Sequence, residues 1–161
     1  MNAYLAEFLG TAILILFGGG VCANVNLKRS AGNGADWIVI AAGWGLAVSM
    51  GVYAVGKFSG AHLNPAVTIA LAMDGGFNWA QVPGYIICQM FGGIVGGVFV
   101  WLMYLPHWKA TEDPGVKLGV FSTAPAIKNY FANFLSEIIG TMALTLGILF
   151  IGVNKIADGL N

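Results

Sequence analysis

Four stretches of this chain are apolar and long enough to cross a lipid bilayer. Twenty uncharged residues separate Glu7 from Lys28, and twenty more separate Asp36 from Lys57. No charge falls between Asp74 and Lys109, where Pro83 and Pro106 frame a third stretch. A fourth runs from Tyr130 to Val153, interrupted only by Glu137. About 20 apolar helical residues cross a hydrocarbon core of about 30 Å. The pattern predicts spanning helices over residues 4–24, 37–56, 82–105 and 130–153, the first ending in the flexible Gly18-Gly19-Gly20 run. The intervening 106–129, with Pro114, Gly115, Pro125 and several charges, reads as an exposed loop.

A fifth apolar segment does not fit this scheme. Ser59-Gly60-Ala61-His62-Leu63-Asn64-Pro65-Ala66-Val67-Thr68 continues apolar to Met73 and stops at Asp74-Gly75-Gly76. Asn64 is a preferred N-cap residue, and Pro65 takes the first helical position, where its missing N–H costs nothing. A helix over 64–73 reaches roughly 14 Å, less than half the hydrocarbon thickness. It is too apolar for a surface loop and too short to span. It is expected to enter the membrane and stop. Non-helical backbone survives at that depth only when buried in protein or lining a water-filled cavity. Gly60, Ala61, His62 and Leu63 would then present carbonyls along a lumen, with the Asn64 amide and the positive end of the helix dipole facing whatever passes. The alternative is a soluble N-cap followed by a core helix.

Composition argues against that alternative. Hydrophobic residues make up 58% of the 161 and charged residues 9%, as in an integral membrane protein. The formal net charge is zero with no basic cluster, which speaks against a nucleic-acid partner. Cys22 and Cys88 have no ligand-like spacing to each other or to His62 and His107, so reduced structural thiols are expected and no cofactor or metal is implied. The N-terminus lacks a basic region and a small-residue cleavage site, so the first span is expected to be retained. Span two carries Gly43, Gly45, Ala47 and Gly51, and span three carries Gly92-Gly93 and Gly96-Gly97 in two small-xxx-small registers. Tight packing on both sides of the third helix is expected.

The chain also repeats. Glu7-Phe8-Leu9-Gly10-Thr11 through Leu14 and Leu16 recurs as Glu137-Ile138-Ile139-Gly140-Thr141 through Leu144 and Leu146, at a constant offset of 130 residues. Three full crossings lie between the two starts, so the second copy inserts upside down, the inverted-repeat logic of channels and transporters. Residues 1–129 then form a first repeat and 130–161 the first span of a second. A carboxylate at a helix centre costs on the order of 3 kcal/mol in a membrane and needs a partner. Glu7 and Glu137 are therefore read as acceptors for loop N–H groups, aiming that loop's carbonyls into the pore. An interfacial glutamate at a helix end is the alternative.

The Ser-Gly-Ala-His-Leu-Asn-Pro-Ala-Val-Thr stretch, the repeated Glu-x-x-Gly-Thr opening and the inverted halves resemble the major intrinsic protein family, the aquaporins, over essentially all 161 residues. The resemblance implies an all-α membrane fold, a right-handed helical bundle with an inverted repeat, here of four spans and one re-entrant half-helix. In that family two half-helices meet at the pore centre and each gives an asparagine amide to the permeant. Asn64, with Pro65 and Ala66, matches the first, and the carbonyls of Gly60, Ala61, His62 and Leu63 match the acceptor ladder. Twenty residues before Asn64 stands Trp44, as in the glycerol-facilitator branch, where water-selective members typically place Phe. An indole would widen the filter and give a polyol's carbon edge an apolar wall. Trp44 could instead be a packing or interface aromatic, as Trp37, Trp79, Trp101 and Trp108 are expected to be.

Family members have six spans and two such half-helices. The second half-helix, its asparagine and the filter arginine do not occur in these 161 residues, which suggests one half of a longer channel, truncated, split or incompletely represented. The family's cytoplasmic N-terminus would put Lys57 and Lys155 inside and Lys28, Arg29, Lys109, Lys117 and Lys128 outside. The positive-inside rule prefers the reverse; the family orientation is followed.

The resemblance thus implies a passive channel for glycerol, other small polyols and water. It implies no enzyme activity, contacts with membrane lipid, a homotetramer with one pore per subunit, and a place in a plasma membrane such as the bacterial inner membrane. Two alternatives stand beside it: a non-conducting structural protein or fragment that needs a second half, and half of a secondary transporter.

Overall fold

The computed structural model describes residues 1–153; residues 154–161, which include Lys155 and the end of the stretch assigned to the second repeat, lie outside the described residues. Its elements in order are α1 (Ala3–Asn26), α2 (Trp37–Ser59), the short α3 (Pro65–Met73), α4 (Val82–Met103), α5 (Leu105–Ala110), α6 (Pro114–Leu118) and α7 (Tyr130–Val153). A single 3₁₀ turn, Trp79–Gln81, leads into α4. By length and composition α1, α2, α7 and the Trp79–Met103 unit can each cross a membrane.

Local chemistry explains where these helices start. Asn2, Asp36 and Asn64 each accept a hydrogen bond from an amide of the first turn that follows, at 2.8, 3.0 and 2.8 Å. α2 ends on Gly60 in the left-handed conformation, with its amide bonded back to Gly56.

α1 is the centre of the bundle, packed between α2 and α4. Its buried stripe includes Ala6, Glu7, Gly10, Thr11, Gly18, Cys22 and Ala23. In lipid there is no hydrophobic drive between helices, so close backbone approach carries the packing. A methyl group added at Gly92 would fall 2.2 Å from the Phe8 carbonyl oxygen, and one at Gly96 would fall 2.6 Å from that of Ala12. Only a hydrogen fits at either position. Large apolar side chains on the outer faces, among them Ile87, Phe91 and Phe99 of α4, remain exposed and suit a hydrocarbon solvent. α7 lies outside this core, touches α3, and has no buried residue in its apolar window.

Three sequence expectations need correction. The Gly18-Gly19-Gly20 run does not end the first helix; α1 continues to Asn26. A helix in lipid keeps its own backbone groups paired, and Gly18 and Gly19 are filled in by Trp44 and Val100. Residues 106–129 are not a bare loop. Pro106 and Pro114 open α5 and α6, buried Thr111 accepts the Lys28 amide at 2.9 Å, and Trp108 stacks on Phe121 with centroids 5.5 Å apart. Finally, α4 packs tightly on one side only. Gly92 and Gly96 are buried against α1, whereas Gly93 and Gly97 border an open cavity.

Candidate functional site

Between α2 and α3 the chain makes a turn whose shape is set by one carboxylate. Gly60, Ala61 and Leu63 have φ of +82°, +50° and +53°. For the two non-glycine residues this left-handed backbone costs roughly 1–2 kcal/mol each. Glu7, fully buried on α1, supplies the compensating contacts. Its Oε1 accepts from Ser59 Oγ at 2.6 Å and from the His62 amide at 3.0 Å; its Oε2 accepts from the Leu63 amide at 2.8 Å and from Gln89 Nε2 at 2.7 Å. Ser59 Oγ in turn accepts the Ala61 amide at 3.1 Å.

A trans peptide is planar, so its N–H and C=O point in opposite directions. Holding the amides of Ala61, His62 and Leu63 towards Ser59 and Glu7 therefore turns the carbonyls of Gly60, Ala61 and His62 the other way. Among the described residues no donor pairs with the carbonyls of Gly60, Ala61, His62 or Leu63. Four acceptors in a row are left for something else to satisfy.

α3 begins at this point. Asn64 Oδ1 accepts the Ala66 amide at 2.8 Å, which fixes the side chain and leaves Nδ2 without a hydrogen bond among the described residues. The positive end of the α3 dipole lies at the same place. Thr68, fully buried one turn into α3, donates to the Asn64 carbonyl at 3.1 Å and accepts from Gln89 Nε2 at 2.9 Å. His62 Nδ1 lies 3.2 Å from the same hydroxyl, and its ring sits against Phe77 and Tyr85 at centroid distances of 4.6 and 4.9 Å. The Tyr85 hydroxyl closes the shell by donating to the Ser59 carbonyl at 3.0 Å.

Leu63, Asn64 and Pro65 border a cavity of about 1310 Å³ between α1, α2, α4 and the segment after α6. Trp44 borders it too, half-buried, with its indole N–H donated to Cys22 Sγ at 3.3 Å. Gly60, Ala61, His62 and Ala66 are not part of the cavity lining, and the His62 side chain packs into the aromatic cluster instead. Trp37 and Trp101, expected only to pack or to sit at an interface, also line it. The wall is mostly aliphatic and aromatic, and no charged side chain belongs to it among the described residues.

Glu137 is not brought to this site. It is exposed on α7, and its side chain makes no hydrogen bond or ion pair among the described residues. The sequence reading missed Gln89, 2% exposed, whose amide bridges Glu7 and Thr68. Its signal was present: an amide side chain in mid-span needs partners as a carboxylate does. Thr11 Oγ1 and Gln89 Oε1 are buried without a hydrogen bond, and both residues border the cavity.

Membrane-length helices packed on α1, a half-length helix set against α4, a buried carboxylate shaping its entry turn and an uncharged cavity beside it define an integral membrane protein of the channel type. The major intrinsic protein family matches residues 1–157, and the chain belongs to it. It is 62% identical over 161 residues to the "Probable glycerol uptake facilitator protein" of Thermotoga maritima, covering 100% of this chain and 69% of that one. It is 60% identical over 161 residues to the glycerol uptake facilitator protein of Bacillus subtilis, covering 100% of this chain and 59% of the relative. The chain thus spans between 59 and 69% of the length of these two relatives. Among solved structures it resembles the aquaglyceroporin from Plasmodium falciparum, with a TM-score of 0.61 and 34% identity over 70% of this chain and 45% of that one.

Proposed function

We propose that this chain forms part of a passive channel for glycerol, other small neutral polyols and water. The observation that carries the reading is the pairing of a free Asn64 amide with an uncharged, largely apolar cavity wall. A polyol has a hydroxyl edge and a carbon edge. Within the cavity its hydroxyls are taken by Asn64 Nδ2 and the Leu63 carbonyl while its carbon edge lies against Trp44, and the carbonyls of Gly60, Ala61 and His62 continue the row of acceptors along its path beyond the cavity. Charged solutes are held back because nothing in the wall neutralises them, and the positive end of the α3 dipole repels cations and protons. Relatives named for glycerol uptake support glycerol as the main solute.

In the same proposal residues 1–129 are one repeat and α7 opens a second, inverted one. Lipid and further copies of the chain, in a homotetramer with one pore per subunit, cover the exposed apolar faces. The setting is a plasma membrane such as the bacterial inner membrane, where bacterial relatives point.

The test is glycerol uptake into liposomes carrying the full chain, with and without imposed proton and sodium gradients. A passive channel gives uptake that is linear in glycerol concentration and unchanged by either gradient. Saturable uptake driven by a gradient would replace this reading with a secondary transporter.

A further inference from the structure

Trp44 is held at two points, both on α1 and one helical turn apart. A methyl group placed on Gly18 would fall 2.4 Å from Cε3 and Cζ3 of the indole and 2.7 Å from Cδ2, so the six-membered ring rests where a side chain would otherwise be. Four residues on, Cys22 Sγ accepts the indole N–H at 3.3 Å. Residues at i and i+4 share a helix face, so the two contacts act on one ring from one side. The χ2 torsion of tryptophan is broad and does not fix the ring by itself. Contact with Gly18 sets where the ring sits, and the bond to Cys22 sets which way its N–H points.

The N–H is the indole's one polar group and a donor only. With that donor committed to sulfur, the part of Trp44 left to border the cavity is hydrocarbon. We propose that Cys22, acting with Gly18, is a specificity-determining positioning residue: its sulfur removes the Trp44 N–H from the lumen and so keeps the Trp44 side of the cavity wall apolar. This rests on the reading of Trp44 as a solute-facing wall. With the sulfur removed, the freed N–H becomes a second donor in the lumen. It holds water or a solute hydroxyl on the wrong wall and favours water over polyols.

Two measurements separate this proposal from the reading beneath it. The first is the indole N–H hydrogen-bond marker band in ultraviolet resonance Raman spectra, isolated for Trp44 by subtracting the Trp44→Phe spectrum. Cys22→Ala and the volume-filling Cys22→Val are expected to move that band, and Cys22→Ser, which keeps an acceptor, to restore it. A band unmoved in both Ala and Val variants overturns the proposal. The second is the ratio of glycerol to water permeability in liposomes of the full chain. It is expected to fall about two- to fivefold in the Ala and Val variants, the scale of one weak hydrogen bond, and to return in Cys22→Ser. A moved band with an unchanged ratio overturns the specificity role. If Trp44→Phe itself leaves the ratio unchanged, the solute-wall reading fails and the selectivity role of Cys22 falls with it. The Raman result then still decides the contact.

Discussion

Glu7 does with one side chain what a strand or helix ladder does elsewhere: it pairs the backbone of a segment that has no regular structure. Its two oxygens take four hydrogen bonds, two from the strained turn and one each from Ser59 and Gln89. Glu7→Gln keeps the shape but turns an NH2 group towards donors that need an acceptor. Leaving buried charge-assisted bonds unmade costs on the order of 3 kcal/mol. A clear drop in Tm in detergent is expected, and a Tm equal to that of wild type would mean the carboxylate does not hold the turn. Gln89→Leu should cost less, about 1–2 kcal/mol, because Glu7 keeps its backbone partners and Gln89 already has one unpaired oxygen. The same thermal measurement checks the order of the two.

At the scale of elements, the decisive contact is the crossing of α1 and α4. Gly92→Ala drives a carbon into the Phe8 carbonyl, and backbone cannot step aside as a side chain can. A loss of about 2 kcal/mol or more is expected. Gly93→Ala meets only Ile15 at 3.9 Å and should stay within about 0.5 kcal/mol. Equal effects from the two would put the packing face elsewhere. This asymmetry marks a limit of sequence reading: overlapping small-residue registers show that α4 packs closely, and only the helix azimuth tells which register does so. The half-helix is legible because Asn64, Pro65 and the Asp74-Gly75-Gly76 stop are local signals, and Pro65–Met73 follows from them almost to the residue. Glu7 is legible too, since a carboxylate beside an apolar span demands a partner. Gln89 is legible on the same ground, as an amide in mid-span; Thr68 and Cys22 are not, because Gln89 and Trp44, the residues that give them their roles, lie 21 and 22 positions away. The folded stretch at 106–129 escapes for a similar reason: Thr111 and Val120 are buried by contacts that no periodicity within that stretch reveals.

Over the whole molecule the charges and the cavity are kept apart. Seven basic and seven acidic residues occur in the chain, yet none lines the space that Asn64 and Trp44 border among the described residues. Solute flux should therefore not depend on ionic strength, because no fixed charge attracts or concentrates the permeant. Glycerol uptake measured at about 0.01 and about 1 M salt with osmolarity balanced is expected to agree; a strong decline with salt would point to electrostatic recruitment and a charged substrate. The most direct measurement is stopped-flow light scattering of glycerol entry into liposomes carrying the full chain, wild type beside Asn64→Asp. The substitution exchanges the free side-chain amide donor of Asn64 at the α3 N-terminus for a carboxylate in an uncharged cavity. Fast glycerol entry in the wild type that falls at least about tenfold in Asn64→Asp is the expected result. Wild-type entry no faster than in empty liposomes, or equal entry in the two proteins, would contradict a pore organised around Asn64.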